Sequence, residues 1–387
     1  MNYIISDFDC HNKFLPLSFT RSVADFRVGI LTIKEKWEKY LQCQVSVKTE
    51  KYLQEKYILS SKPSNTIILS TVIPDETLAN TISTLKNKKL VKNDVLLAYN
   101  TGADINIIPL SSVEYNNEVK ILNNNTDIFT FNGICIEDDF KLLTSKRKSA
   151  NFSKTNTVFG KYPVFVEENS YIECSTLNSS DGPIYIGKNT KIMEGTHIRG
   201  PFAICENSEI KMGAKIYGST TIGPFCKVGG EINNCVFFSY SNKAHDGFLG
   251  QAVIGEWCNI GADSNNSNLK NNYATVKLWD YEKNKFISTG LLFCGLIMGD
   301  HSKCGINTMF NTGTVVGVSA NIFGSGFLRN FIPSFSWGGT AGITTYKIET
   351  ALETMTKVME RKNIALTETY KKIFSNIFDI TAKYRNF

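Results

Sequence analysis

The 387-residue chain is poor in the features that mark secreted, metal-stapled or membrane-spanning proteins. Its ten cysteines, Cys10, Cys43, Cys135, Cys174, Cys205, Cys226, Cys235, Cys258, Cys294 and Cys304, form no CxxC pair and no short cluster, which excludes a zinc-finger spacing or a disulfide scaffold and fits a reducing compartment. No run of about 20 apolar residues occurs, so membrane insertion is not expected. The opening MNYIISDFDCHNKF carries acid where a secretory leader carries a basic start, and a cytoplasmic location is expected. There are only four histidines, and Lys and Arg exceed Asp and Glu by 42 to 36 without a basic tract. A nucleic-acid partner is therefore not expected, whereas small anionic substrates are compatible with the charge.

With 42% hydrophobic residues, the chain is long enough for two or three domains with buried cores. Residues 1–150 alternate strand and helix patterns: a strand near Tyr3 to Ile5, a helical GILTIKEKWEKYL, a strand NTIILS, a turn at Pro74, a helical DETLANTISTLKNKK and a strand DVLLAY. Such alternation predicts an α/β domain with a parallel sheet and a ligand cleft at its strand ends.

From about residue 184 the period changes. Ile186, Ile192, Ile198, Ile204, Ile210, Ile216, Ile222 and Val228 stand at a strict interval of six, which is neither helical nor plain strand. The pattern lapses around SYSNKAHDGF and returns at Ile254 and Ile260, then at Met298, Cys304, Phe310, Val316 and Ile322. Gly directly follows Ile186, Ile222, Ile254, Ile260, Met298, Cys304 and Val316. A short strand with one inward aliphatic, then a tight turn, accounts for both features, and three such units make one triangular coil of 18 residues. One hexad cannot bury its own apolar face but a stack can, so residues 151–335 are expected to form a parallel β-helix rather than a sandwich with accidental spacing. In residues 336–387, Ile348, Leu352, Met355 and Met359, then Tyr370, Ile373, Phe374, Ile377 and Phe378, form two helical stripes expected to cover the open end of the stack.

The hexad resembles the left-handed β-helix of hexapeptide acyltransferases, an exception to right-handed crossovers. The whole chain, through RSVADFRVGILTIKEKW, SNKAHDGFLG, VIGEWCNIGADSNNSNLKNNY and GLIMGDHSKCGINTMFNTG, is similar to an alternative bacterial form of the bifunctional enzymes that make UDP-N-acetylglucosamine, precursors of the cell envelope. The resemblance implies a nucleotidyltransferase-like domain joined to an acyltransferase β-helix, with acetyl-CoA as acyl donor, a sugar phosphate and a nucleoside triphosphate as partners, Mg²⁺ in the N-terminal domain, and a homotrimer. The family segment KxxHLxYLG supplies a catalytic histidine, here His245, and an imidazole is suited to take a proton near neutrality as an amine attacks a thioester. Where the family has Tyr three residues later, Phe248 keeps the ring without the hydroxyl. Asn259 in WCNIGA matches a sugar-contacting Asn. Asn268, in a run with Asn265, Asn266, Asn271 and Asn272, offers amides to a sugar, and Lys243 and Lys270 are candidates for phosphate. His197 and His301 are expected to point off the coil without an assigned role.

For nucleotidyl transfer, Arg21, Arg27 and Lys34 in and behind FLPLSFTRSVADFRVG are the phosphate-binding candidates, and Asp7 and Asp104 the metal carboxylates, with Asp9 beside the first. The Gly-rich turn and the Pro-Lys pair of the wider family are absent, so this activity stands altered or lost in expectation. Other readings remain: a monofunctional sugar-phosphate nucleotidyltransferase or acyltransferase with its other site inactive, a noncatalytic β-helix scaffold, and a metal-dependent β-helix whose histidines converge between subunits.

Overall fold

A computed structural model describes residues 2–106 and 109–387. The chain divides into two compact units: one holds the residues up to Phe14, Thr20–Phe26 and Leu31–Asn124, and the other holds Leu15–Phe19, Arg27–Ile30 and Asn125–Phe387.

The first unit is built on a six-stranded sheet. Its strands run in the order Ser46–Lys48, Asn2–Ser6, Asn65–Leu69, Val95–Thr101, Lys89–Lys92 and Ser112–Glu114. The first three are mutually parallel, but Val95–Thr101 is antiparallel to both its neighbours, so the sheet is mixed where an all-parallel one was expected. The reason is local. The second helix starts at Glu76, capped by Asp75, and stops at Ser83, after which Lys89–Lys92 turns back on Val95–Thr101 through Asn93 and Asp94, both at positive φ. That two-residue turn is the geometry a tight hairpin requires, and Asn and Asp tolerate it. The other helix, Ile33–Leu41, begins in a capping box between Thr32 and Glu35 and buries Ile33, Lys36 and Trp37.

The second unit is a three-sided parallel β-helix. One face has nine strands from Val164–Val166 to Phe331–Ile332, and the second has ten, ending at Gly342–Thr345. The third has six strands from Thr157–Phe159 to Phe248–Gly250, then a separate pair, Asn265–Asn266 with Met309–Phe310. In the regular part, Ile186 pairs with Ile204 and Ile204 with Ile222, Ile192 with Ile210 and Ile210 with Val228, and Ile198 with Ile216. These aliphatics are all at most 2% exposed and stack into one core. Outside, the helix Asn132–Thr144 covers the first face, where Ile136 and Phe140 meet Phe165, Tyr185 and Ala203.

The lapse in the hexad is not a loop between coils. The coils continue through Ile232, Phe237, Lys243 and Leu249, which pair with Ile216, Ile222, Val228 and Ile232 beneath them, but two corners are short. The true excursion lies later. Between Asn266 and Leu296 the chain leaves the stack and forms an antiparallel hairpin, Lys277–Asp280 with Lys285–Ser288.

The open edge of the second face is finished by an antiparallel strand, Gly342–Thr345 on Ser336–Gly339. The two C-terminal helices, Ile348–Glu360 and Glu368–Ile380, therefore do not serve only as an end cap. Phe374 and Phe378 pack edge-on against His301 and Phe335, which sit on one corner of the stack. At that corner the residue three places after the inward aliphatic takes positive φ in coil after coil: Asn189, Asn207, Phe225, Tyr240, Trp257 and His301. Asparagine adopts this conformation readily, whereas aromatic residues there are strained and depend on compensating contacts. Stacking supplies such contacts, with Phe225, Tyr240 and Trp257 parallel at 4.8 and 4.2 Å and His301 next in line at 5.9 Å.

Candidate functional site

The corner from Ala244 to Gly247 carries His245. The corner directly beneath is cut to four steps between the inward residues Val228 and Ile232, and it contains Gly229 and Gly230. A Cβ on Gly230 would stand 2.7 Å from the carbonyl oxygen of Gly247 and 2.9 Å from that of His245. The shortened, side-chain-free corner thus lets the next one sit close above it while extending beyond it. His245 is exposed on the overhang, and no side-chain partner for it is found among the described residues. An unengaged imidazole is open to a substrate proton.

On the second-face side of this corner lies a cleft of about 540 Å³, lined by Lys227, Tyr240, Asn242, Ala244, Trp257, Asn259, Lys303 and, from the first C-terminal helix and its end, Val358, Arg361 and Lys362. Four of these side chains are cationic and two are stacked aromatics, and Ala244 is the residue before His245. Burial pushes the Lys303 ammonium down to about 8, and its Nζ donates to the carbonyl oxygen of His301 at 2.9 Å. Lys227, Tyr240, Trp257, Lys303, Arg361 and Lys362 were not among the expected site residues. Their signal in the sequence was the aromatic residue three places after Phe237 and after Ile254, legible only once the corner geometry is known.

Asn259 is exposed and lines this cleft, in register with Asn242 on the neighbouring strand. Phe248 and Asn268 are brought together on the third face, where both close over Gly250: a Cβ there would meet the Phe248 ring at 2.5 Å and the Asn268 amide at 2.8 Å. The Asn268 amide donates to Gln251 Oε1 at 2.5 Å. Asn259 on one side and Phe248 with Asn268 on the other therefore flank the His245 corner from two faces.

Lys270 lies farther along, in the excursion. Its Nζ donates to the Thr275 carbonyl at 3.1 Å and it borders a second cavity of about 720 Å³ with Lys277, Trp279, Phe286, Arg329 and Phe331.

Several expectations change. Lys243 does not reach outward for phosphate: it occupies an inward position in register with Val228, is 1% exposed, and directs its ammonium to backbone carbonyls. Asn265 and Asn266 are not free amides. Asn265 Oδ1 accepts from the Phe248 N–H at 2.7 Å, and Asn266 accepts from the Gly250 N–H at 2.8 Å and donates to its carbonyl at 2.9 Å. Side-chain amides here replace the backbone ladder where the third face is broken. His301 is not on the surface; it is buried between Trp257 and Phe374. His197 is exposed on the third face.

In the first unit, Asp7 is 3% exposed and its oxygens are already engaged. Oδ1 accepts from Ser22 Oγ at 2.8 Å and the Val23 N–H at 3.1 Å, Oδ2 accepts from Thr49 Oγ1 at 2.5 Å, and His11 Nδ1 is 3.6 Å away. Asp104 is exposed and accepts from the Asn106 N–H and side-chain amide, both at 2.9 Å. Among the described residues no group of three or more His, Cys, Asp or Glu could hold a metal ion. Asp7 does not fit the role of a carboxylate ligand for the expected Mg²⁺, because it serves as the hydrogen-bonding hub of its loop. Asp9 is exposed at positive φ on that loop.

Arg21 is 2% exposed, not open to a phosphate. Arg27 belongs to the second unit, 8% exposed, where Nη1 donates to the Ile30 carbonyl and lies 3.6 Å from Cys205 Sγ. Its segment is pinned by Gly29 N–H to Asn132 Oδ1 and Ile30 N–H to Asp139 Oδ2, both at 2.7 Å, so Arg27 is structural. Lys34 is half-buried, 3.8 Å from Glu38.

Residues 3–148 match the family model described as sugar nucleotidyl transferase, which makes the first unit nucleotidyltransferase-like. No curated protein matches the chain by sequence. Among solved structures, an Arabidopsis UDP-N-acetylglucosamine acyltransferase is 16% identical over 55% of this chain and 80% of its own, with a TM-score of 0.25. The polysialic-acid-specific acetyltransferase NeuO is 17% identical over 53% of this chain and 100% of its own, at 0.29. The UDP-N-acetylglucosamine O-acyltransferase of Moraxella catarrhalis is 12% identical over 58% and 96%, at 0.24. At such scores these likenesses establish no activity for this chain. No helix among the described residues is long and apolar enough to cross a membrane.

Proposed function

We propose that the second unit transfers an acetyl group from acetyl-CoA to the amine of an amino-sugar phosphate, as in the synthesis of nucleotide sugars of the UDP-N-acetylglucosamine type. The observation that carries this reading is His245, exposed on an overhanging corner whose preceding residue, Ala244, lines a cleft with four cationic side chains. His245 takes the proton that the amine gives up as its nitrogen bonds to the thioester carbonyl carbon; the C–S bond then breaks and the proton passes to the departing thiolate. Lys227, Lys303, Arg361 and Lys362 supply the positive field for phosphates, and Asn259 and Asn268 offer amides on the two sides of the corner. Trimer formation would place a neighbouring copy's face beside the overhang and enclose the site.

A second reading concerns the first unit. The family match supports binding of a sugar phosphate and a nucleoside triphosphate, but the engaged Asp7 and the buried Arg21 favour a unit that holds a nucleotide sugar without turning it over. The chain would then be a monofunctional acyltransferase.

The test is thiol release from acetyl-CoA with glucosamine-1-phosphate, comparing the native chain with His245→Ala. A fall of about 10² or more in the variant, with an unchanged melting temperature, is expected. Native turnover that the substitution leaves intact removes His245 from the chemistry. Absence of native turnover removes this acceptor.

A further inference from the structure

Down the inner wall of the second face the inward side chains are Ile172, Ile192, Ile210, Val228, Lys243, Ile260, Cys304 and Ile322. Lys243 is the one charged member of that column. An ammonium in an apolar lumen costs stability relative to a well-packed apolar side chain, and burial pushes this one down to about 8. Nothing in the stacking of the coils calls for it, since six of the other seven inward residues are aliphatic and the seventh is a thiol.

What Lys243 does is local. Its Nζ donates to the backbone carbonyls of His245 and of Asp246, the latter at 3.0 Å. The lysine thus reaches from the lumen to the underside of the one corner that carries an exposed imidazole. The same corner is clamped from both sides. The Asp263 N–H donates to the Asp246 carbonyl at 3.0 Å, and the Glu231 N–H to that of Gly247 at 3.2 Å. Gly247, at φ +114, has no room for a side chain beneath the Ser264 carbonyl. The His245 carbonyl has no backbone donor of its own among these contacts, so its fixed direction comes from Lys243.

We infer that Lys243 is a positioning residue for His245: from inside the β-helix it fixes the peptide units of residues 245 and 246, and with them the direction in which the imidazole leaves the corner. The inference rests on the reading of His245 as the proton acceptor, but it is testable without turnover.

The protein has only four histidines, so its imidazole Cε1–H correlations are few, and that of His245 is identified by its loss in His245→Gln. Lys243→Met keeps length and removes the donors, in a lumen that already accommodates a methionine, Met298 from the first face. The variant is expected to melt no lower than the native chain while the His245 correlation shifts and broadens as the corner samples several conformations. Thiol release is expected to lose about tenfold to a hundredfold in kcat with KM little changed, the scale set by a misplaced catalytic group. Lys243→Gln, which retains N–H donors without charge, should fall between the two.

A His245 correlation that is the same in Lys243→Met and the native chain overturns the inference, whatever the activity. So does loss of folding in both variants, which would make Lys243 a support of the stack instead of the corner. If the native chain releases no thiol, the acyl-transfer reading has failed, and the correlation still decides whether Lys243 holds the corner.

Discussion

The coils from Ile186 to Val228 and those from Val228 to Met298 are made of the same unit and used differently. In the first stretch every inward position is aliphatic, and the turn between faces is carried at positive φ by asparagines, Asn189 and Asn207, until Phe225 takes it in the last coil. In the second, an ammonium and an amide enter the inward columns at Lys243 and Asn266, and the same turn is carried by Tyr240 and Trp257. The two corners between Val228 and Phe237 lose residues, a face is broken, and a segment of the chain leaves the stack. The difference teaches where such a scaffold can carry chemistry. A uniform repeat buries identical side chains and offers identical outward ones, so a unique exposed group needs a local departure from the repeat.

The sharpest way to break this comparison is to exchange the kinds of damage. In the irregular stretch, His245→Ala removes an exposed side chain and is expected to cost activity by about 10² or more with no loss of stability. In the regular stretch, Ile210→Ala empties a fully buried position and should cost about 2–5 kcal/mol in urea melts, while molecules that remain folded keep their activity per molecule. Equal stability losses at the two positions would mean that the His245 corner is core, and the distinction would fall.

A smaller effect sharpens the same contrast. Gly213 and Gly230 both take positive φ, at +68° and +76°, so alanine is strained at either by about 1 kcal/mol. Only Gly230 is also crowded. A Cβ at Gly213 meets nothing within 4 Å, whereas at Gly230 it meets the Gly247 and His245 carbonyls at 2.7 and 2.9 Å. Gly230→Ala should therefore be less stable than Gly213→Ala by about 1–3 kcal/mol, and it alone should lower thiol release, because it lifts the corner that bears His245. Matched stabilities for the two variants would show that the corners are not in register as described.

How much of this was legible beforehand follows from the same contrast. Eight residues at an interval of six specify a stacked coil because only a stack buries them, and the register of Ile186, Ile204 and Ile222 agrees with that reading. The period fails as a guide at Val228 because the next inward residues, Ile232 and Phe237, follow at four and five steps and the third is Lys243. A search for apolar residues every six places sees an interruption where the coil continues. His245 was found by a resemblance of its segment, not by the period. The cleft cations Lys303 and Arg361 are 58 residues apart in sequence, and only the docking of the C-terminal helix brings them to one cavity. In the first unit, the helical pattern runs on to Lys89 because KNKK carries no β signal, whereas the helix stops at Ser83 and the strand Lys89–Lys92, which that pattern did not indicate, begins where it ends. The reversal at Asn93 and Asp94 was the available cue.

The smallest expected effect tests whether the irregular stretch carries a charge in its lumen. Desolvation lowers the Lys243 ammonium to about 8, although Asp246, Cys304, Asp263 and Cys235 act against it. In the unfolded chain a lysine holds its proton to about pH 10.4. Below pH 8 both states are charged and the burial cost is fully present. Between about 8 and 10 the native state gives up its proton while the unfolded state retains it, so the unfolded state binds more protons and native stability rises with pH. Lys243→Met has no such group. Its stability advantage over the native chain is therefore expected to be greatest at pH 7 and to shrink by pH 9.5. Taking the difference between the two proteins at each pH removes groups common to both, such as the buried Cys226 thiol, which is pushed up to about 12 and acts in the opposite direction. Urea midpoints at the two pH values measure the difference, and a gap that stays constant would mean that the lumen holds Lys243 without an electrostatic cost, leaving the two stretches of coil alike in the one respect that the lysine was taken to change.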